Sequence, residues 1–444
     1  MADDARARLK EWLATGQAKL VPLTFPQREL WETAPVPPAD PSNNICALLE
    51  IRGPLTFDMC RDALAMVIAR QEALRTTILP GKERPVQLVR NTADAVVTKL
   101  ELPESISGEE AVAAALEPNF KAPFDLVAGP LHRMVMVPRG PDHCFIGLVT
   151  HHAISDGWAL TTFVEDFMTG CISVWRRSGK DMTRVQGLSD TLVPPPMTYS
   201  QWGAGERARW TPPELERAAA RWRTRLAGAG LFFEASHPVA AEPLQKWITH
   251  IPATMAEGVR KLARKAGATS FTTLSAAFRI ALQRWRGKDD VVLGTPVAGR
   301  SKAAVRETMG YFSENVPLRC QIDPAAPLAE TVRKVHEEAV EDFAQAMPFA
   351  ELVRAVGDGA PRGRHAIYDI RFAVQNHPFP EIVVPGVSST FRNLSSGTSR
   401  FDLACEITGD SGQMEVVWLR RDSVVGQPDV RELDTLLREV LSEA

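Results

Sequence analysis

A proline-rich break at residues 184–197 constrains the fold more than any other feature, because the run Pro194, Pro195 and Pro196 interrupts regular structure there. The chain has 444 residues, which is more than one hydrophobic core usually serves. Patterns typical of strands and of helices occur on both sides of the break. We therefore expect an α/β (α+β) protein with two lobes, residues 1–190 and residues 191–444.

The apolar periodicity predicts both kinds of element in each half. Predicted strands are residues 45–51, 96–102, 131–137, 143–150, 290–293, 368–375, 402–408 and 414–420. Predicted helices are residues 3–15, 57–67, a segment from 158, 213–227, 256–266, 270–286, 327–345 and a segment from about 428. The turn-forming residues 138–142 join two of these strands into a hairpin.

Charge and composition exclude several classes of protein. The formal net charge is −3, without the basic excess of a nucleic-acid binder. The six cysteines show no CxxC spacing and predict small buried thiols rather than disulfides or a metal site. The N-terminal segment lacks the apolar stretch of a signal peptide, and no apolar run approaches the roughly 20 residues of a membrane span. We therefore expect a cytoplasmic protein without nucleic-acid or membrane partners.

The heptapeptide HHAISDG at residues 151–157 is the strongest candidate for a functional site. It lies where a predicted buried strand ends and a helix begins, a position that fixes a side chain and leaves it accessible. A histidine there can exchange a proton near neutral pH. Asp156 can pair with a nearby cation, and Gly157 allows either close approach of the backbone to a substrate or a positive φ.

Three other interpretations of these residues compete with a catalytic site. They are a solvent-facing histidine pair, a metal site formed by His152 and Asp156, and a structural turn that has lost its catalytic role. The metal site is disfavoured, because no third ligand stands at a recognisable spacing and HExxH is absent.

The octapeptide HHAISDGW resembles the HHxxxDG signature of the chloramphenicol-acetyltransferase-like superfamily. Further segments resemble, in order, the motifs of nonribosomal peptide synthetase condensation domains. They are LTFPQRELW at 23–31 (S-x-A-Q-x-R-L-W), RQEALRT at 70–76 (R-H-E-x-L-R-T), YSQW at 199–202 (Y-x-D-Y/W), GTPVAGR at 294–300 (G-x-P-x-x-G-R), MGYFSENVPLR at 309–319 (I-G-x-F-V-N-T-x-P-L-R), PF at 348–349 (V-P-F-E), FAVQN at 372–376 (F-x-x-Q-N) and FDL at 401–403 (F-D-L). Their order and spacing hold from about residue 22 to the C-terminus.

The resemblance implies two acetyltransferase-like lobes in a V-shaped pseudodimer with a central tunnel, where donor and acceptor meet at the second histidine. The implied catalytic set is His152 as general base or positioning group, His151 in a structural role, Asp156 in a buried ion pair, and Gly157 with its N–H near an oxyanion or pantetheine. The partner of Asp156 is expected to be Arg300 or, as the second choice, Arg75. Residues expected along the tunnel are Trp158, Tyr311, Glu314, Asn376 and Ser399.

Several positions depart from the motifs. Gln71, Ala159, Glu314 and Asn315 stand where His, Ser, Asn and Thr are usual, and Gln201 takes a usually acidic place. Glu314 is open to two interpretations. In the tunnel it would select an unusual or cationic acceptor, and at the lobe interface it would be structural.

The function implied by the resemblance is a condensation reaction in natural-product biosynthesis. A polyketide or peptidyl thioester, carried on the phosphopantetheine of a carrier protein, would react with an amine or alcohol to give an amide or ester, chain release being one setting. No bound cofactor and no metal is expected. Two alternatives stay open, an acyltransferase of the same superfamily that uses acyl-CoA and a non-catalytic module that holds a carrier.

The carrier protein is expected to act in trans, because the initiating Met and the short leader favour a free-standing enzyme. Carrier proteins are commonly acidic, so the basic helix at residues 213–227 either faces one or is a solvated helix face. The solvated face is the favoured interpretation.

Overall fold

The computed structural model describes residues 2–33, 41–81, 84–179, 191–233, 244–357, 367–375, 386–394, 401–409 and 412–444. Within these ranges the chain forms two large β-sheets with helices on both faces and a third, smaller sheet. This arrangement confirms the predicted α/β class.

The helices and strands follow one another in mixed order along the described residues. The α-helices are α1 (Ala2–Ala14), α2 (Phe25–Arg28), α3 (Phe57–Arg70), α4 (Glu109–Lys121), α5 (Gly157–Arg177), α6 (Tyr199–Arg209), α7 (Pro212–Arg225), α8 (Ala253–Ala266), α9 (Ser270–Arg286), α10 (Leu328–Ala344), α11 (Phe349–Val356) and α12 (Gln427–Ser442). The strands are β1 (Ala18–Pro22), β2 (Asn44–Arg52), β3 (Thr76–Leu79), β4 (Val86–Arg90), β5 (Val97–Lys99), β6 (His132–Gly140), β7 (His143–His151), β8 (Gln245–Ile251), β9 (Asp290–Val297), β10 (Glu314–Gln321), β11 (Ile370–Gln375), β12 (Ser388–Leu394), β13 (Leu403–Thr408) and β14 (Met414–Arg420).

The predicted elements are present, with shifted ends in some cases. The strand expected at residues 96–102 is reduced to β5, and the one expected at 290–293 extends through all of β9. The sequence did not predict several elements: α2, α4, α6, α11, β1, β3, β4, β8, β10 and β12. β10 contains Pro317 and lies at the edge of its sheet, where a proline is tolerated because its missing N–H is not needed for pairing.

The five-stranded sheet carries the strand that leads to the histidine pair. Its order is β12-β2-β7-β6-β5, so β7 is central and is buried along nearly its whole length. One face packs on α3 and α5 and the other on α4. β12 comes from the second half of the sequence and pairs antiparallel with β2, which joins the two halves through backbone hydrogen bonds.

The six-stranded sheet forms the core of the second half, in the order β10-β9-β11-β13-β14-β8. Helices α9 and α12 cover one face, and α7, α10 and α11 pack on the other. The third sheet, β1-β4-β3, belongs to the first half.

The lobe boundary expected after residue 190 adjoins residues 180–190, which lie outside the described residues. Residues 191–198 precede α6 without a helix or strand.

A glycine in β9 tests this packing. A Cβ added at Gly294 would overlap the ring of the fully buried Tyr368. Gly294→Ala should therefore lower the free energy of unfolding, measured by urea denaturation, by about 1–3 kcal/mol. Gly140→Ala is the matched control, because a Cβ there meets no atom within 4 Å, and it should change the free energy by about 0.5 kcal/mol or less. Equal effects of the two substitutions would contradict the packing.

Candidate active site

The turn between β7 and α5 brings together the four residues expected to be catalytic. β7 ends at His151, residues His152–Ile154 form a 3₁₀ turn, and α5 begins at Gly157 with Asp156 as its N-cap. The central strand fixes where the turn starts, and the helix fixes where it ends.

Gln27 of the opening segment braces this turn. Its buried side-chain Nε2 donates to the carbonyl of Ala153 at 2.9 Å and to Oε1 of Gln87 at 3.1 Å. Its Oε1 accepts from the backbone N–H of Thr24 at 3.0 Å. The glutamine of the opening motif is therefore a support for the histidine turn.

His151 is built into the backbone of the turn. Its Nδ1 accepts from the N–H of Ala153 at 3.1 Å, and its own N–H donates to the carbonyl of Leu131 at 2.9 Å. The ring meets the ring of Phe124 edge-on, with centroids 6.0 Å apart. These contacts fit the structural role that the sequence resemblance implies.

His152 lies between the two halves of the chain. Its side chain is half-buried, with the Nδ1 atom inside. The imidazole packs on the ring of Tyr311 from the second half, with centroids 4.2 Å apart and the planes tilted by 59°. The first half supplies the imidazole and the second half supplies the surface against which it rests.

Asp156 joins the halves by accepting four hydrogen bonds. Oδ1 accepts from the N–H of Ala159 at 2.8 Å and so caps α5. Oδ2 accepts from Nη1 of Arg300 at 2.8 Å and from the N–H groups of Phe312 and Ser313 at 2.9 and 3.1 Å. The carboxylate and the guanidinium are both almost fully buried, so the charges neutralise each other in the interior.

The prediction of Arg75 as the second choice of partner for Asp156 is wrong. Its guanidinium donates to backbone carbonyls instead, at Ile68, Arg90 and Asn91, over 2.6–3.0 Å. The residue ends the 3₁₀ turn Glu72–Arg75, and its guanidinium joins the carbonyl of Ile68 in α3 to those of Arg90 and Asn91 at the end of β4.

Gly157 and Trp158 begin α5. Gly157 is exposed, its φ is not in the left-handed region, and a Cβ there would meet no atom within 4 Å. Close approach of a substrate to the backbone is therefore possible, whereas the positive φ considered from the sequence is wrong. The indole Nε1 of Trp158 donates to the carbonyl of Arg306 at 2.9 Å, which makes this side chain a further link to the second half.

Glu29 is a site residue that the sequence analysis missed. Its side chain is 1% exposed, and its carboxylate accepts from the hydroxyl of Tyr311 at 3.4 Å and from Nδ2 of Asn315 at 3.3 Å. It occupies the position where the opening motif has Arg, and Arg28 beside it bonds to Glu351 of α11 at 2.8 Å. The departure from the motif at this position was the signal available in the sequence.

Glu314 lies beside Glu29 at the start of β10. Its Oε2 accepts from the N–H of Phe349, the first residue of α11, at 3.1 Å. Burial, and to a smaller extent the neighbouring carboxylate of Glu29, raise the pKa of Glu314 well above its usual range. The carboxyl group caps a helix, which supports the structural interpretation, and it does so next to the residues around His152.

Gln71 shows how a departure from a motif is accommodated. Its side chain donates to Oδ2 of Asp166 at 2.7 Å and to the carbonyl of Glu307 at 2.9 Å, and it accepts from the N–H of Met309 at 2.9 Å. A buried amide meets both donor and acceptor needs here. Gln201 likewise accepts from the N–H of Thr198 at 2.8 Å and completes the cap of α6.

The basic helix α7 pairs its arginines with acids of the same protein. The pairs are Arg217 with Glu214, Arg221 with Glu341, Arg223 with Glu216, and Arg225 with Asp342 and Glu338. This pairing favours the interpretation of α7 as a solvated helix face rather than as a binding surface for an acidic carrier protein.

The remaining expectations concern residues away from this turn. Asn376 and Ser399 lie outside the described residues. All six cysteines are free and buried, and burial raises the pKa of every thiol. In the part of the chain that the structure describes, no helix has the length and apolar character needed to cross a membrane.

Comparison with known proteins identifies what this geometry resembles. A family model described as Condensation domain matches residues 17–444. Phosphinothricin tripeptide synthetase PhsC of Streptomyces viridochromogenes is 29% identical over 371 residues, which cover 80% of this chain and 33% of that synthetase. This chain therefore spans about a third of that protein's length.

Two solved structures share the fold over 96% of this chain. The X-domain in its complex with OxyB from teicoplanin biosynthesis matches with a TM-score of 0.80 at 19% identity, over 93% of its own chain. The first condensation domain of the calcium-dependent antibiotic synthetase, with a bound substrate analogue, matches with a TM-score of 0.75 at 22% identity, over 96% of its own chain.

The Asp156–Arg300 pair should be strongly coupled. Asp156→Ala and Arg300→Ala should each lower the free energy of unfolding by about 3–5 kcal/mol, because each strands the partner's charge in the interior. The double variant should lose clearly less than the sum of the two. Urea denaturation of the four proteins measures the coupling, and strictly additive losses would contradict it.

Glu314 should make stability depend on pH. Its pKa is raised in the folded state, so the protonated carboxyl group contributes fully to the free energy of unfolding at pH values below the usual glutamate range. This contribution is lost as pH rises toward and through the folded pKa. Glu314→Gln keeps an oxygen for the N–H of Phe349 but cannot ionise. The variant should therefore gain stability relative to the natural protein as pH rises above about 4.3. A difference in unfolding free energy that is constant with pH would contradict this.

Proposed function

Because this chain belongs to the condensation-domain family, we propose that it joins an acyl group, delivered as a thioester on a carrier protein, to an amine or an alcohol. The product is an amide or an ester. The observation that supports this most is the imidazole of His152, half-exposed at the end of a central strand and resting on a residue of the other half.

The reaction needs one proton transfer and one leaving group. The nitrogen or oxygen of the acceptor attacks the thioester carbonyl, and Nε2 of His152 positions the acceptor and takes its proton. The tetrahedral intermediate collapses, the carbon–sulfur bond breaks, and the leaving thiolate takes up the proton held by His152, so one proton passes from the acceptor to the leaving group. A base of this kind contributes typically about 10²–10⁴-fold in rate. An alcohol acceptor needs it more than a neutral amine does, because the amine is already nucleophilic.

The start of α5 is suited to the negative charge that develops on the carbonyl oxygen. The N–H of Gly157 is the first of a 21-residue helix, and the residue is exposed with open space beside it. Backbone N–H groups at a helix N-terminus favour an anion, so this N–H is our candidate for contact with the oxyanion or with the pantetheine arm.

The donor is proposed to be the phosphopantetheine thioester of a carrier protein that acts in trans, with no bound cofactor. The acyl group is already activated as a thioester, so the chemistry requires no nucleophilic serine or cysteine. The buried thiols, with their raised pKa, are poor nucleophiles in any case.

A second candidate function is a non-catalytic module that binds a partner protein. It is favoured by one observation, the match in fold to the X-domain that was solved in complex with OxyB. In that case the histidine turn would be a structural feature and the chain would hold a partner against an assembly line.

Intact-protein mass spectrometry separates these functions. The natural protein is incubated with an acyl-loaded carrier protein and a panel of amines and alcohols, and in parallel with the matching acyl-CoA. Loss of the acyl mass from the carrier, with one class of acceptor and not from acyl-CoA, is the expected result. His152→Ala should reduce product formation by about 10²-fold or more, while His143→Ala, a histidine at the far end of β7, should retain it.

Other outcomes of the same experiment are equally informative. Full activity of a folded His152→Ala protein would remove this residue from the chemistry. Turnover of acyl-CoA alone would assign a soluble donor. No product from the natural protein with any carrier and acceptor, together with carrier binding, would favour the non-catalytic module.

A further inference from the structure

The surroundings of His152 contain a carboxylate that the reaction scheme does not use. Glu29 reaches His152 by way of Tyr311: its Oε2 accepts from the phenol hydroxyl at 3.4 Å, and the phenol ring packs on the imidazole at 4.2 Å between centroids. Nδ2 of Asn315 holds the other carboxylate oxygen at 3.3 Å. The carboxylate is thus fixed from two sides in a buried position.

Charged groups on the elements around this position form ion pairs. They are Asp156 with Arg300, Arg28 with Glu351, and Glu206 with Lys302. Glu314 lies close to Glu29, and burial together with that neighbouring carboxyl group raises its pKa. His151 uses its Nδ1 as an acceptor for the N–H of Ala153.

We propose that Glu29 is a positioning residue for His152, which acts through the phenol of Tyr311 to hold the imidazole in place and to stabilise its protonated form. This inference rests on the proposed function, in which His152 takes a proton from the acceptor. The motif resemblance does not predict this positioning role, because the opening motif has Arg where this chain has Glu29.

Two physical effects support the role. A carboxylate in a poorly hydrated place stabilises a positive charge nearby. It therefore stabilises the protonated imidazole and raises the proton affinity of the ring. A phenol whose hydroxyl donates to a carboxylate is polarised toward greater electron density, and the face of an electron-rich ring attracts a cation. Both effects are largest when His152 is protonated, which is the state that follows proton transfer from the acceptor.

Titration of His152 followed by NMR tests the inference without any substrate. The protein is labelled with ¹³C at the Cε1 of its histidines, and the His152 signal is assigned by its loss in His152→Ala. In Glu29→Gln, which keeps the shape and an acceptor for the Tyr311 hydroxyl, the titration midpoint of His152 should fall by on the order of half a pH unit. Tyr311→Phe should lower it by less, and the double variant should match Glu29→Gln alone.

A matched control is available on β2. Oε1 of Glu50 lies 2.8 Å from Nε2 of His143, so Glu50→Gln should leave the midpoint of His152 unchanged. Tyr199→Phe removes a hydroxyl that donates to the carbonyl of Tyr311 at 2.6 Å. It should cost stability without moving the His152 midpoint.

The outcomes separate this inference from the proposed function. An unchanged midpoint in folded Glu29→Gln would overturn the positioning role, whatever the protein's activity. Absence of product in the carrier assay would overturn the proposed function and leave the titration result standing. Where product forms, Glu29→Gln should lower kcat by about three- to tenfold with little change in KM, and should shift the acid limb of the pH profile toward lower pH.

Discussion

The buried carboxylate of Asp156 is the interaction on which the site depends. It caps the helix that follows the histidine turn and, with its other oxygen, holds the guanidinium of Arg300 and two N–H groups of the second half. Phe312, one of the residues held this way, directly follows Tyr311, whose ring supports His152. A single carboxylate therefore helps to set the position of His152 in the first half relative to Tyr311 in the second half. All the contacts of the signature aspartate described here are structural ones.

Backbone pairing and side-chain hydrogen bonds join the two halves of the chain at separate places. β12 extends the sheet of the first half by pairing with β2, and Arg28 bonds to Glu351 on α11. Gln71 links the end of α3 to the segment that leads to Met309. Because these contacts surround the turn at residues 151–157, the position of His152 is determined by several independent restraints. Such redundancy suits a site where a displacement of about 1 Å costs a large part of the rate.

The sequence predicted the centre of the site because its information there is local. A buried strand, two histidines and an N-cap aspartate are consecutive in the chain, and the ordered motifs pointed to Arg300 as the partner of Asp156. The role of Glu29 was not predictable in this way, since Tyr311 is 282 residues away along the chain. β12 was missed for the same reason: its short, half-exposed pattern carries no signal, and its pairing with β2 is decided by the assembled fold. Pro317 hid β10, because a proline argues against a strand unless its edge position is known.

The two acidic departures from the motifs have a joint consequence for the electrostatics of the site. At position 29 this chain has an acid where the motif has an arginine, so a carboxyl group contacts the hydroxyl of Tyr311. Glu314, the second acid, accepts from the N–H of Phe349 at the start of α11, and burial and the neighbouring Glu29 raise its pKa. The two acids therefore differ in what they contact: Glu29 accepts from the hydroxyl of Tyr311, and Glu314 accepts from the first N–H of α11. In the proposed reaction, a carboxylate at position 29 would hold the acceptor's proton on His152 more firmly, which matters most for an acceptor that is a poor nucleophile until the proton is removed.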